Sequence, residues 1–262
     1  MSADPRSGGR LQRRSAARTA VVWHALREVL ETRHADAPAS VVDIGGGTGG
    51  FAVRVAELGH DVVVVDPSPD ALAILARRAE ESGVADRVTG HQGDLASLPD
   101  LVPVGSVDVA LCHGVLEIVD DPAAALAALS GALRPGGTLS LLVNQRHAAV
   151  VTRAMAGHFS AALALLEQGT PLDASGSDAS GSGSSGTGRR FTADEVTAAL
   201  AAAGLDVAAM HAVRVFVDLV PSSLVDLEPG AAEALVALEQ AVATRPEYLT
   251  LATQLHALAT RR

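Results

Sequence analysis

Residues 41–59 read VVDIGGGTGGFAVRVAELG. A short β-branched run, Val41 and Val42, ends in the acid Asp43. Four glycines follow in five positions, Gly45, Gly46, Gly47 and Gly49, and then Gly50. Phe51, Val55 and Leu58 recur at helical spacing, and Gly59 stands where a helix would stop. The stretch therefore reads as strand, tight turn and helix, the first unit of an α/β sheet of the dinucleotide-binding kind. Glycines suit the turn because a side chain would hold the backbone away from a ligand lying across the strand ends.

Gly45, Gly47 and Gly50 satisfy the dinucleotide fingerprint G-x-G-x-x-G. Asp43, Gly45, Gly47 and Gly49 also spell D-x-G-x-G-x-G, and this pattern resembles motif I of class I S-adenosylmethionine-dependent methyltransferases. In that class the loop backbone cradles the methionine part of the cofactor, and the acid orients the loop or meets the ammonium. The resemblance implies cofactor-binding roles for Asp43, Gly45, Gly46, Gly47 and Gly49.

Composition sets the outer bounds. The chain has 262 residues, 48% of them hydrophobic, enough to bury one sizeable core. Aromatic residues make up only 2%, so the core must be built from Ala, Val and Leu. All 20 positive charges are arginine, which with the abundance of alanine reads as genome composition bias. A single cysteine, Cys112, excludes an internal disulfide and suits a reducing cytosol. No run is long and apolar enough for a membrane span, and no signal peptide is evident, so the expected location is the cytoplasm. A net charge of −10 argues against a surface uniformly attractive to nucleic acid, although a local arginine cluster would still serve.

The N-terminal residues 1–17 are expected to be a flexible, basic tail. An amphipathic helix through Val21, Val22, Leu26, Val29 and Leu30 leads to Pro38. Arg18 enters this helix just ahead of motif I, where a cation would reach a cofactor carboxylate. After motif I, the run DVVVVD (61–66) is a buried parallel strand with an acidic end. Asp66 at that end, followed by Pro67, suits a pair of ribose hydroxyls, in NAD as well as in S-adenosylmethionine. A helix follows to Gly83, capped by Ser68 or Asp70. A weak third strand precedes Gly93, Asp94 and Leu95. Asp94 looks like the acceptor for an adenine amino group, with Leu95 against the ring; its other reading is a turn cap.

Residues 107–112 (VDVALC) form the fourth strand, which runs into His113, Gly114, Val115, Leu116 and Glu117. A helix over 123–133 ends in RPGG (134–137) and feeds a strand over 138–143, a signature of the same methyltransferase class. With these motifs in order, the dehydrogenase reading falls away. The expected fold is a doubly wound, seven-stranded, mostly parallel α/β sheet, Rossmann-like, closed by an antiparallel last strand over 248–260. It forms a single domain over 18–262. A helical insertion over about 145–168 and a flexible Gly/Ser tract over 169–188 interrupt it. Thr192 and Glu195 form a capping box for the next helix, and residues 205–217 then read as strand.

Further strings are similar to one family, the bacterial tRNA 5-carboxymethoxyuridine methyltransferases. They are Arg18 through Trp23, HGVLE (113–117) with Pro122, RPGG, VRVF (213–216), and the tail around Pro246, Tyr248 to Leu251 and His256. The family esterifies the carboxylate of a modified wobble uridine, so the resemblance implies S-adenosylmethionine as cofactor and tRNA as a partner. Where that family carries a lysine-rich segment, this chain has its Gly/Ser tract with only Arg189 and Arg190 at its end, and Thr253 and Gln254 replace aromatic and basic positions. Both departures weaken nucleic-acid binding and leave a small-molecule acceptor open.

A carboxylate acceptor needs no base but does need a cation. Arg214, in an apolar stretch, is the candidate, with pairing to Asp218 or Asp226 as the alternative. His113, at the end of the fourth strand, is the candidate base for a protonated acceptor; with a carboxylate it would contact the cofactor. The other histidines show no ligand spacing, so no metal is expected. A small-molecule O- or N-methyltransferase and a non-catalytic cofactor-binding module are the alternative functions.

Overall fold

The structure is a computed structural model, described for residues 5–167, 188–220 and 230–262, with side chains from residue 19 onward. The tract 169–188 therefore falls almost wholly outside the described residues, as does Asp226. Helix α1 (Pro5–Arg33) leads into β1 (Ser40–Ile44), α2 (Ala52–Glu57), β2 (Asp61–Asp66), α3 (Pro69–Glu81) and β3 (Val88–Gln92). A short α4 (Leu98–Leu101) precedes β4 (Val107–His113), α5 (Pro122–Ala132) and β5 (Leu133–Asn144). Helices α6 (Arg146–Met155) and α7 (Phe159–Glu167) follow. The chain then forms α8 (Ala193–Ala202), β6 (Leu205–Val213), α9 (Ala231–Ala243), α10 (Pro246–Leu249) and β7 (Gln254–Arg261).

The seven strands lie in the order β3-β2-β1-β4-β5-β7-β6. All neighbours are parallel except β7, which runs antiparallel to both β5 and β6. This is the doubly wound sheet expected from the sequence, and the order reverses beside β1, between β1 and β4, where ligands of such sheets bind. Alternation along each strand divides the core in two. Val41, Val62, Val64, Val109 and Leu111 pack under α1, α2 and α3 with Leu26, Leu30, Ala52, Val55 and Leu75. Val42, Ile44, Val65, Ala110, Cys112, Leu139 and Leu141 face α5 and α8 with Leu126, Leu129 and Leu200.

The structure refines three local expectations. Helix α1 begins at Pro5, inside the segment expected to be a flexible tail, because residues 10–18 are rich in the strong helix formers Arg, Ala, Leu and Gln. The insertion is two helices, broken where Gly157 turns left-handed at φ 79°. The strand expected over 205–217 stops at Val213, because Arg214 adopts φ 61° and the next three N–H groups turn onto a carboxylate.

The glycine turn after β1 is held by steric need at Gly49. Its φ is 80°, and an added Cβ would fall 2.3 Å from Cδ1 of buried Leu75. Gly49→Ala combines a disfavoured backbone with overpacking, so it should cost about 2–4 kcal/mol in denaturant unfolding.

Candidate cofactor and acceptor site

A cleft of about 780 Å³ opens at the carboxyl ends of β1, β2 and β4. Its lining includes Gly45, Asp66, Pro67, Asp94, Leu95 and His113, six of the residues singled out in the sequence. Four separate strand ends, those of β1, β2, β3 and β4, bring them together, because parallel strands in one sheet deliver their C-terminal ends to one edge.

Asp66 is the best-organised group in the cleft. It ends β2 nearly buried; its Oδ2 accepts from the Gly47 N–H at 2.9 Å and its Oδ1 from the Ser68 N–H at 2.9 Å. Each oxygen keeps a further lone pair, so the carboxylate is oriented and still able to accept from two hydroxyls. Asp43 lies behind the loop, 3% exposed. An added Cβ on Gly46 would fall 2.6 Å from its Oδ2, which is why the loop carries glycine there. Burial, and then the charge of Asp66, push the Asp43 carboxyl up to about 7. A carboxyl raised in the folded state holds its proton more tightly than in the unfolded chain. Its contribution to stability is full below about pH 4 and is lost as pH rises through about 7. Thermal melts from about pH 5 to 8 should show the wild type losing several degrees relative to Asp43→Asn.

Asp94 is exposed on the rim and its turn role is visible. Its Oδ1 accepts from the Ser97 N–H at 3.0 Å, and its own N–H donates to Ser97 Oγ at 2.8 Å. The second oxygen remains available to the cleft. Leu95 beside it is buried and offers an apolar wall. Arg18 belongs to α1, but its side chain lies outside the described residues. Glu117 ties the end of the fourth strand to β5, its Oε1 accepting from the Asn144 N–H at 2.7 Å.

His113 closes the cleft at the end of β4. Its Nε2 is 2.9 Å from Ser140 Oγ, the Phe51 ring packs edge-on with centroids 4.8 Å apart, and Nδ1 has no hydrogen-bond partner among the described residues. Burial pushes the imidazole down to about 4, so it is neutral at physiological pH.

Arg214 is placed elsewhere. It does not line the cleft, and its Nη2 meets Asp218 Oδ2 at 2.6 Å, the internal partner that the sequence left open. Both side chains are partly exposed, so the pair is worth about 1 kcal/mol or less. Arg214→Lys should therefore lower the melting temperature by a few degrees or less and leave turnover per folded molecule unchanged; a sharp fall in turnover with cofactor affinity retained would instead make it an acceptor clamp.

Sequence reasoning missed Ser140, His211 and Glu239. Ser140 and His211 are polar residues inside apolar strand patterns, a signal visible in the sequence. Glu239 sits in an ordinary helical pattern, and only the structure shows its carboxylate reaching three backbone N–H groups.

The residues fit S-adenosylmethionine. A glycine turn lies beside the cleft, an oriented carboxylate stands where a ribose would sit, and an apolar wall with an acid lies where an adenine would stack. Residues 42–141 match a family described as a methyltransferase domain. The tRNA 5-carboxymethoxyuridine methyltransferase of Escherichia coli K12 is 36% identical over 145 residues, 54% of each chain. A ubiquinone biosynthesis O-methyltransferase of Xanthomonas euvesicatoria is 35% identical over 131 residues, 50% of this chain and 53% of that one. This chain thus spans about half the length of the curated relatives it matches. The geranyl diphosphate C-methyltransferase of Streptomyces coelicolor A3(2), solved with S-adenosyl-L-homocysteine, superposes with a TM-score of 0.56 over 91% of this chain and 79% of that chain, at 16% identity. Residues 42–141 thus form a methyltransferase domain, and the ordered motifs and the sheet built around them are those of the class I S-adenosylmethionine-dependent fold.

Proposed function

We propose that this protein transfers a methyl group from S-adenosylmethionine to an oxygen nucleophile that reaches the cleft at His113. The observation that supports it most is the convergence on one cleft of Asp66, Asp94, Leu95 and His113 from three loops. Bound there, the cofactor supplies an electrophilic methyl on a sulfonium. The protein's part is to orient and exclude water. Asp66 accepts from the ribose hydroxyls and is itself held by Gly47 and Ser68. Asp94 and Leu95 frame the adenine. His113 lies on the side from which the acceptor comes.

Two acceptors are in view. The carboxylate of 5-carboxymethoxyuridine in tRNA is supported by the similarity to the E. coli enzyme and by the strings that extend to the tail. A hydroxyl on a small molecule is supported by the similarity to the ubiquinone biosynthesis O-methyltransferase. One feature of the site also favours it: the described lining of the cleft carries Asp66, Asp94, Asp120 and Asp121 and no arginine, while Arg214 is paired with Asp218. We read the hydroxyl as the better fit to the geometry. Purified protein with methyl-labelled cofactor should then label a panel of phenols and catechols. Label entering undermethylated bulk tRNA as a base-labile ester, with none in the panel, would select the carboxylate reading.

A further inference from the structure

A row of four polar side chains crosses the apolar sheet behind His113. Strand alternation puts His113 of β4, Ser140 of β5, His256 of β7 and His211 of β6 on the face that α1 covers. Ser140 Oγ lies 2.9 Å from His113 Nε2 and 2.8 Å from His256 Nε2. His256 Nδ1 lies 3.2 Å from His211 Nδ1, the two rings nearly parallel at 21°. Ser140 and His256 are fully buried and His211 is 8% exposed. The row therefore runs without a gap from the cleft to the underside of α1, where His24 and Glu28, both exposed, are the titratable groups facing His211.

A neutral row of this kind has two directions, because each hydrogen bond needs one donor and one acceptor. The free end of the row at His113 chooses between them. His113 Nδ1 is buried and unpartnered, and a buried N–H without an acceptor is rarer than a lone pair without a donor. Nδ1 is then the lone-pair end and Nε2 carries the proton. The direction that follows is His113 Nε2–H to Ser140, Ser140 O–H to His256 Nε2, and His256 Nδ1–H to His211 Nδ1, with His211 Nε2–H outward.

We propose that Ser140, His256 and His211 form a proton relay behind His113, which makes His113 Nδ1 the base for an acceptor that arrives with its proton, a hydroxyl rather than a carboxylate. This rests on the reading that the acceptor meets the methyl group at His113. As the new O–CH₃ bond forms and the S–CH₃ bond breaks, the hydroxyl proton passes to His113 Nδ1. The Nε2 proton passes to Ser140 Oγ, the serine's own proton to His256 Nε2, and the His256 Nδ1 proton to His211 Nδ1. The proton on His211 Nε2 leaves to Glu28 or water. No imidazolium is left in the interior, whose burial disfavours charge on all three rings. When product leaves, the row runs backwards: His113 gives up its Nδ1 proton to water entering the cleft, and His211 regains one at Nε2. The net change is one proton released per methyl transferred.

The test is the protonation pattern read by ¹⁵N NMR of histidine-labelled full-length protein, with and without S-adenosylhomocysteine. Expected are neutral His113 and His211 protonated on Nε2 and neutral His256 protonated on Nδ1. His211→Lys replaces the outer acceptor with a group that can only donate. It should reverse the row, so that His256 moves its proton to Nε2 and His113 moves its proton to Nδ1. The opposite pattern in the wild type, an imidazolium at His113 or His256, or a folded His211→Lys protein whose His113 keeps its tautomer would each overturn the relay. If His211→Lys does not fold, the wild-type pattern alone decides. Failure of the cofactor reading would appear separately, as histidine resonances unmoved by S-adenosylhomocysteine.

Discussion

Asp66→Ala is expected to weaken S-adenosylmethionine binding by about 5- to 150-fold, on the order of 1–3 kcal/mol, while the protein stays folded. The alanine removes the acceptor for two ribose hydroxyls. It also frees the N–H groups of Gly47 and Ser68 that the carboxylate holds at 2.9 Å each. Part of the loss is thus direct, and part comes from a looser glycine turn. Asp66→Asn separates the two. Its amide keeps one acceptor oxygen for the backbone but offers a donor where a second acceptor is needed, so it should retain most stability and still lose most of the affinity. Titration calorimetry on both variants reads this directly. Wild-type affinity in a folded Asp66→Ala protein would remove Asp66 from the site.

The largest expected effect on stability belongs to a residue outside the cleft. Glu239 of α9 is 1% exposed. Its Oε2 accepts from the Val215 N–H at 3.0 Å, and its Oε1 accepts from the N–H groups of Phe216 and Val217 at 2.8 Å each. Three consecutive backbone donors follow β6 without a strand partner among the described residues, and one buried carboxylate accepts from all three. Glu239→Ala removes the acceptor from the N–H of buried Val215 and opens a cavity beside it. The expected cost is about 3–5 kcal/mol, seen as a fall of roughly 6–20 °C in melting temperature. Glu239→Gln keeps the shape with weaker acceptors and should fall between. A melting temperature unchanged in Glu239→Ala would mean that the turn finds other partners.

The parts of this molecule that were legible in its sequence are those where chemistry and local geometry coincide. DVVVVD can only be a strand buried on both faces, and the glycines after Asp43 can only be a turn, so the cofactor half of the sheet followed from pattern alone. The antiparallel β7 was different. Leu249, Leu251, Leu255 and Leu258 fit the helical and the strand period alike; the structure gives the short helix α10 first and the strand only from Gln254. Arg214 shows where pattern misleads. VRVF alternates like a strand, but the carboxylate that turns it out of the sheet comes from α9, 25 residues on. Ser140, His211 and His256 were each visible as polar residues in apolar strands. Their union is a matter of register, because β5, β7 and β6 meet only once the chain has closed.

On the proposed function, the cleft between β1, β2 and β4 holds S-adenosylmethionine with its reactive end toward His113. A crystal structure of the full chain with S-adenosylhomocysteine tests it most directly. One molecule per chain is expected, with its ribose hydroxyls on the Asp66 carboxylate, its adenine beside Asp94 and Leu95, its amino-acid end along the Gly45–Gly49 turn and its sulfur facing His113. A cofactor bound elsewhere, or lying in the cleft with Asp66 free of the ribose, would contradict it.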